Sequence, residues 1–348
     1  MNIDLLSPAE VALLQELIAT STNIVVCCHQ NADGDAVGSS LGWAEYLREL
    51  GKDPMVIVPD MFPDFLQWMP NSEKIVRFDK RKEMAQLVFK TADLVFCLDF
   101  NTPGRLGEEM SQCLLESPAQ RVLIDHHLDP DVQAALTISH PEASSTAELV
   151  FRIIWQLGGF PKTTRKVAVP IYCGMMTDTG AFTYNSTRPE IFFIISQLLT
   201  KGIDKDKIYR NVYNNYSEQR LRLIGYVLYQ KLKVMPAQHA CYFALTRQDL
   251  RRFNYMKGDA EGLVNMPLQV KGMRLSISLR EDTDRENLVW VSLRSVDNFP
   301  CNRLAEEFFN GGGHLNAAGG RLNCSIDEAE RIAQQAVLHF EKDLVKNG

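Results

Sequence analysis

The sequence predicts an α/β protein: a mainly parallel sheet flanked by helices, then a smaller α+β domain, with the active site in the cleft between them. Three observations carry the fold class. Residues 24–28 (IVVCC), 94–99 (LVFCLD) and 121–125 (RVLID) are apolar with little alternation, as strands buried on both faces are. Helical patterns lie between them. Beyond residue 270 the pattern changes, and 275–279 (LSISL) and 288–293 (LVWVSL) alternate like half-exposed antiparallel strands.

In chain order, Ser7, Pro8 and Glu10 form a capping box with proline at the first helical position, opening a helix to about Thr20. The strand at 24–28 runs into a helix over 36–50, stopped by Gly51. A short strand follows at 55–58 (MVIV), and 62–90 reads as helical or irregular with a short strand at 75–78. Ser145 and Glu148 read as a second capping box, for a helix to about Leu157. Further helices are expected from Arg165 to Met176 and over 189–201, 204–216 and 218–232, the last bridging two domains. The expected division is 1–205 for a metal-binding domain, 206–232 for a helical linker and 233–348 for a substrate-binding domain. In that last part a loop over 281–287 joins the two alternating strands, and a short helix covers 304–309. The runs Gly311-Gly312-Gly313-His314 and Ala317-Ala318-Gly319-Gly320 precede a final helix over 327–345.

The chain has 348 residues, 45% of them apolar and 23% charged, enough for two cores. No apolar run approaches the ~20 residues that span a bilayer, and the first ten residues lack a secretory signal. A cytoplasmic protein without a membrane partner is expected. The eight cysteines are scattered with no C-x-x-C pair, which argues against a zinc knuckle or a disulfide frame. A net charge of -6 argues against wrapping long duplex nucleic acid but not against holding a short charged molecule in a local basic pocket. A homodimer is compatible with this composition.

Three apolar strands each end in an acid or imidazole, at His29, Asp99 and Asp125, and parallel strands bring such ends to one sheet edge. His29, Asp33, Asp35, Asp99, Asp125, His126, His127 and Asp178 are all assigned to that edge. Any one of them alone reads equally well as a cap or turn residue. Together they do not, because two carboxylates ~4 Å apart repel by roughly 4 kcal/mol at an effective dielectric of 20. Divalent cations remove that cost. Carboxylates with a minority of imidazoles and no thiolate suit Mn²⁺ or Mg²⁺, or Fe²⁺ or Co²⁺. A pair of such ions makes a water acidic and clamps phosphoryl oxygens, so hydrolysis of a phosphoester or phosphoanhydride is the chemistry indicated. In the second domain, the glycine run reads either as a turn or as a concave array of N–H groups that holds an anion. Arg294, taken alone, reads as a solvated strand-end residue. His140, His239 and His339 lie outside the cluster, and Trp43, Trp68 and Trp155 read as packing.

The pieces His29-Gln-Asn-Ala-Asp33-Gly-Asp35, Leu98-Asp99, Asp125-His126-His127 and Thr177-Asp178-Thr179-Gly180 resemble the four ordered motifs of the DHH phosphoesterases. Gly311-Gly312-Gly313-His314-x-x-Ala317-Ala318-Gly319 resembles the signature of the DHH-associated C-terminal domain. The resemblance implies two manganese ions: His29 and Asp33 on one, Asp35, His126 and Asp178 on the other, and Asp99 bridging. It implies that His127 stands beside the attacked phosphorus and that Asp125 orients the histidine pair. It also implies that Arg294, His314 and the adjoining Gly312 and Gly313 hold substrate, and Arg105 resembles a further substrate contact. Ala32 stands where many members have proline. The short two-domain length is similar to bacterial oligoribonucleases that degrade nanoRNA and dephosphorylate 3′-phosphoadenosine 5′-phosphate (pAp). The expected partners are therefore short single-stranded RNA or DNA oligonucleotides and pAp. A phosphodiesterase for linear dinucleotides derived from cyclic signals, and a non-catalytic nucleotide sensor, are the alternatives.

Overall fold

The computed structural model describes residues 3–256 and 258–345. Its contacts divide the chain into two units, Met1–Asn215 and Tyr216–Gly348. The first contains α1 (Pro8–Thr20), β1 (Ile24–Cys27), α2 (Gly34–Glu49), β2 (Met55–Val58), β3 (Val76–Arg77), α3 (Lys82–Thr91) and β4 (Leu94–Leu98). It continues with α4 (Glu108–Glu116), β5 (Gln120–Asp125), β6 (Leu136–Ser139), α5 (Thr146–Gln156), α6 (Arg165–Asp178), α7 (Pro189–Leu199) and α8 (Lys205–Tyr213).

The six strands form one sheet in the order β3-β2-β1-β4-β5-β6, every neighbouring pair parallel. Alternate residues feed two cores, which is why the strand sequences do not alternate. Val26, Phe96, Leu98 and Ile124 pack under α1, α2, α5 and α6, whereas Val25, Cys27, Val95, Cys97 and Leu123 pack under α3 and α4. The chain leaves β1 toward β2 and returns to β4 on β1's other side. The strand order therefore reverses between β1 and β4, the place where open α/β sheets leave a crevice at their carboxyl ends. His29 and Asp99 follow those two strands.

The edge strand β6 (LTIS) carries only four residues and was not evident from the sequence. The helix expected over 36–50 begins at Gly34 with Asp33 as its cap, so Asp35 sits in its first turn and not in a loop. The second capping box is only half formed. The Ser145 side chain accepts from the Glu148 N–H, but the Glu148 carboxylate accepts from Ser144 N and Oγ, both at 2.8 Å, and from Arg188.

α2 and α6 cross in close backbone contact. A Cβ at Gly38 would lie 2.6 Å from the Pro170 carbonyl oxygen and 2.9 Å from the Gly174 nitrogen, and one at Gly174 would lie 3.0 Å from Asp35 Oδ1 of α2 and 2.7 Å from the Ala147 Cβ of α5.

The second unit holds α9 (Glu218–Tyr226), a π-helical turn Val227–Lys231, β7 (Lys233–Met235), β8 (Ala240–Leu245), α10 (Arg247–Arg252), β9 (Leu275–Glu281) and β10 (Val289–Ser295). Then come α11 (Cys301–Phe308), β11 (Gly312–His314), β12 (Ala317–Leu322), α12 (Ile326–His339) and α13 (Glu341–Val345). The segment read as one helical linker is shared out: Ile208 and Val212 of α8 join the first unit's core, and Leu223 of α9 joins a small core with Phe243 and Leu250. This sheet runs β11-β12-β10-β9-β8-β7, antiparallel except for the β8–β9 pair. One face packs on α11, α12 and α13. On the other, α9 and α10 cover β8, while Trp290, Ser292 and Arg321 of β10 and β12 are exposed.

The glycine run is neither a turn nor an N–H nest but an edge strand, registered Gly312 to Gly319 and His314 to Ala317. At Gly313 (φ 145°) a Cβ would meet the Ala317 carbonyl oxygen at 2.5 Å. No helix among the described residues is long and apolar enough to cross a membrane.

The α2–α6 crossing yields a test. Gly38→Ala is expected to cost about 1–3 kcal/mol, because backbone atoms must give way. Gly104→Ala, with open space around it, should stay within about 0.5 kcal/mol of wild type. Denaturant unfolding checks both, and equal midpoints for the two variants would remove the close-crossing argument.

Candidate metal centre

Five structural elements deliver the cluster. His29 leaves the end of β1 fully enclosed, with its Nδ1 2.8 Å from the Gln30 carbonyl. That oxygen can only accept, so Nδ1 keeps its proton and Nε2 is the atom offered to the site. Nε2 lies 3.4 Å from Asp99 Oδ2 and 3.9 Å from Asp33 Oδ2. Asp33 caps α2, with Oδ1 accepting from the N–H groups of Asp35 and Ala36, both at 3.0 Å. Its second oxygen therefore remains for a ligand.

Asp35, 1% exposed, accepts from the Thr146 N–H (2.7 Å) and the Ala147 N–H (2.9 Å) at the start of α5. A helix N-terminus stabilises negative charge without bringing a positive side chain into the site. Asp99 follows β4 in the left-handed region at φ 63°, a backbone state that costs a non-glycine residue of order 1–3 kcal/mol. Its N–H donates to the Ile124 carbonyl, and its Oδ1 accepts from the Thr146 hydroxyl at 2.9 Å. Asp178 closes α6.

His126 and His127 follow β5. The Ala143 carbonyl lies 3.4 Å from His126 Nδ1, so its Nε2 is the inward atom, 3.6 Å from Asp99 Oδ1, 3.5 Å from Asp178 Oδ2 and 3.9 Å from Asp35 Oδ2. His127 Nδ1 is 2.7 Å from Asp125 Oδ1. Asp125 is wholly buried, and its Oδ2 has no hydrogen-bond partner among the described residues.

The donor atoms fall into three groups whose members all lie within 4.8 Å of one another: His29, Asp33 and Asp99; Asp35, His126 and Asp178; and Asp99, His126 and His127. Asp99 and His126 each belong to two of them. All eight predicted residues of this edge are thus gathered in one place. Arg105 is tied in through its carbonyl, which accepts from the Gln30 N–H at 2.7 Å. Arg294, Gly312, Gly313 and His314 belong to the second unit. There Arg294, Ala317 and His314 share one register row of the sheet, and Gly312 lies in the next.

Burial, with the negative charge of Asp99, pushes the Asp35 carboxyl well above the usual carboxylate range; burial, then Asp33 and Asp99, does the same to Asp178. Burial alone would lower the His29 imidazole, but its hydrogen bond to Asp99 and the charge of Asp33 raise it to about 9. Burial would raise Asp99, but the His29 hydrogen bond and charge hold it well below the carboxylate range. The chain's own groups thus balance this negative charge only by binding protons. Divalent cations fit the same donors: carboxylates and imidazoles converge, and the nearby thiols of Cys28 and Cys173 are held protonated by burial.

Thr146 went unrecognised in the sequence although its N–H and hydroxyl serve Asp35 and Asp99. It lies beside the Ser145 cap, and nothing local distinguishes it from any first-turn threonine.

Residues 23–175 match the DHH family, N-terminal domain, and residues 237–340 match the DHHA1 domain. A solved structure of an exopolyphosphatase-related protein from Bacteroides fragilis is 49% identical with a TM-score of 0.94, spanning 97% of this chain and 98% of that one. The bifunctional oligoribonuclease and PAP phosphatase NrnA of Thermus thermophilus is 28% identical over 94% of this chain and 93% of its own length. The cyclic-di-AMP phosphodiesterase PdeA of Listeria monocytogenes is 26% identical over 93% of this chain but only 48% of its own length.

The proton balance predicts a pH dependence for the EDTA-treated protein. His29, raised to about 9, contributes stability that is complete below about pH 6.5 and lost as pH rises through 9. The raised Asp35 and Asp178 act in the same direction, withdrawing stability as they ionise above the usual carboxylate range. The lowered Asp99 opposes them only in acid. The melting temperature without metal should therefore fall between pH 6.5 and 9, while the increment from added Mn²⁺ should grow over that interval. A metal-free melting temperature that rises with pH there would contradict the balance.

Proposed function

Because the chain belongs to the DHH family and is a metal-dependent phosphoesterase, we propose that it hydrolyses short oligonucleotides to nucleoside monophosphates and removes phosphate from pAp. The observation that carries this reading is Asp99, with one oxygen near His29 and the other near His126, each imidazole beside further carboxylates. His29 and Asp33 would hold one cation, Asp35, His126 and Asp178 a second, and Asp99 both. Such a pair supplies an acidified water and neutralises phosphoryl charge. Mn²⁺ is the ion the mixed oxygen and imidazole donors favour in this reading, with Mg²⁺, Co²⁺ and Fe²⁺ as comparisons.

The chain's own groups supply the rest. Asp125 accepts from His127 Nδ1–H and so leaves Nε2 for the substrate; with both ring nitrogens protonated, Nε2–H binds a phosphoryl oxygen or gives its proton to the leaving oxygen, and the ring keeps its Nδ1 proton. Thr146 holds Asp99 in its strained position. Arg105 by the first site, and Arg294, Gly312, Gly313 and His314 in the second unit, would hold the substrate's phosphates. The likeness to an NrnA of nearly the same length supports short oligonucleotides and pAp as substrates. A second reading, cleavage of linear dinucleotides derived from a cyclic signal, is supported by the likeness to a cyclic-di-AMP phosphodiesterase.

The test is product analysis on dinucleotides, tetranucleotides, pAp, pyrophosphate, polyphosphate and cyclic dinucleotides, with and without Mn²⁺. Monophosphates from short oligomers and AMP from pAp are expected, both abolished by EDTA. Binding without turnover in Mn²⁺ would make the protein a sensor, and turnover of pyrophosphate or polyphosphate alone would overturn the reading. Asp99→Asn should lower kcat at least about 10³-fold, because both cations would lose a charged ligand. Its far-UV dichroism should be unchanged, and near-normal turnover in Mn²⁺ would refute the assigned role.

A further inference from the structure

The open face of the second sheet carries a feature that the metal chemistry does not use. The antiparallel register places Arg280, Trp290 and Arg321 side by side in one row. The next row is Ser278, Ser292, Gly319 and Gly312, and the one after is Ser276, Arg294, Ala317 and His314. Directly opposed residues share a face, so a tryptophan between two arginines stands at one end of a shallow trough floored by Ser292 and Gly319, while Ser276 and Ser278 of β9 are buried. Arg294 and His314 stand at the other end. The four-residue step from Trp290 to Arg294 spans roughly 13 Å.

Trp290 is 39% exposed although tryptophan is among the most costly side chains to leave in water. Its Nε1 donates to Asp282 Oδ2 at 2.7 Å, which fixes the orientation of the ring. The Asp282 carboxylate also accepts from the N–H groups of Asp284 and Arg285, so its charge is taken up by the loop. Arg280 lies 5.3 Å from the centre of the Tyr255 ring, a second aromatic beside the same row.

We propose that Trp290 is a stacking platform for a base of single-stranded substrate lying beyond the nucleotide held at Arg294 and His314, with Arg280 and Arg321 on its phosphates. This rests on the oligonucleotide reading above. Stacking suits it because every base has a π-face, while the small residues between the rows leave room for a sugar–phosphate backbone and three arginines match its charge. Trp290 thereby sets how strongly chain length raises affinity, and pAp, with one base, does not reach it.

The test compares the wild type with Trp290→Ala and Trp290→Phe. Trp290→Ala should raise KM for tetranucleotides roughly ten-fold and leave KM for pAp within about two-fold. Trp290→Phe should recover most of the loss, since a flat ring suffices. An equal loss on pAp would make Trp290 a structural residue, and no loss on either substrate would discard the platform. In EDTA, where nothing turns over, a tetranucleotide should quench wild-type fluorescence more than that of Trp290→Phe. Such quenching in a protein that cleaves no oligonucleotide keeps the platform while the functional reading falls. A wild-type dimer that Trp290→Ala converts to monomer would instead put a second copy on this face and overturn the proposal.

Discussion

Crowding of negative charge at the β1/β4 switch point is the constraint on which the first unit is built. Asp33 and Asp99, and likewise Asp35 and Asp178, offer ligand atoms within 4.8 Å of one another, and among the described residues the ion-pair partners of these four acids are histidines. Two carboxylates ~4 Å apart cost roughly 4 kcal/mol at an effective dielectric of 20. A protein that needed only stability would place a guanidinium there. Here backbone N–H groups solvate the carboxylates instead: the first turn of α2 serves Asp33, and the N-terminus of α5 serves Asp35. Such partners stabilise the charge while leaving oxygen lone pairs for a cation.

Holding that arrangement requires rigid surroundings. Gly38 and Gly174 let α2 and α6 approach until backbone nearly touches backbone, which brings Asp178 beside Asp35. The loop before α5 is fixed by Glu148, buried among Ser144, Arg152 and Arg188, so that Thr146 presents both its N–H and its hydroxyl to the cluster. A buried carboxylate pays its desolvation only when well paired, and Glu148 is paired on both oxygens. The strain at Asp99 is held by β5 through the Ile124 carbonyl and by the Thr146 hydroxyl. Support of the site is therefore spread over α2, α5, α6 and the loop before α5.

The second unit follows a different physical logic. Its sheet packs one face on helices and leaves part of the other open, with arginines, small residues and one aromatic in register. In the proposed reading such a face suits the charge and flatness of a nucleotide chain, and among the described residues the groups that could hold a metal ion all lie in the first unit. On that reading cutting chemistry and grip belong to different units of the chain, each with its own core.

The sequence alone determined the strand-end positions of His29, Asp99 and Asp125, because an apolar run and the polar residue that ends it are local features. It determined as well the α/β class and the antiparallel pair of 275–279 and 288–293. It did not reveal β6, β7 or β8: the first two are short, and ACYFAL resembles any buried segment. The glycine run misled for a related reason, since glycine marks a turn, a nest or a close strand crossing equally well until its neighbour is known. Only the tertiary structure decided that Thr146 serves two carboxylates, that Glu148 turns away from its expected cap, and that Trp290 stands between two arginines. Each of these depends on register or on contacts between residues far apart in the chain. A one-residue change of register would move every such side chain to the other face.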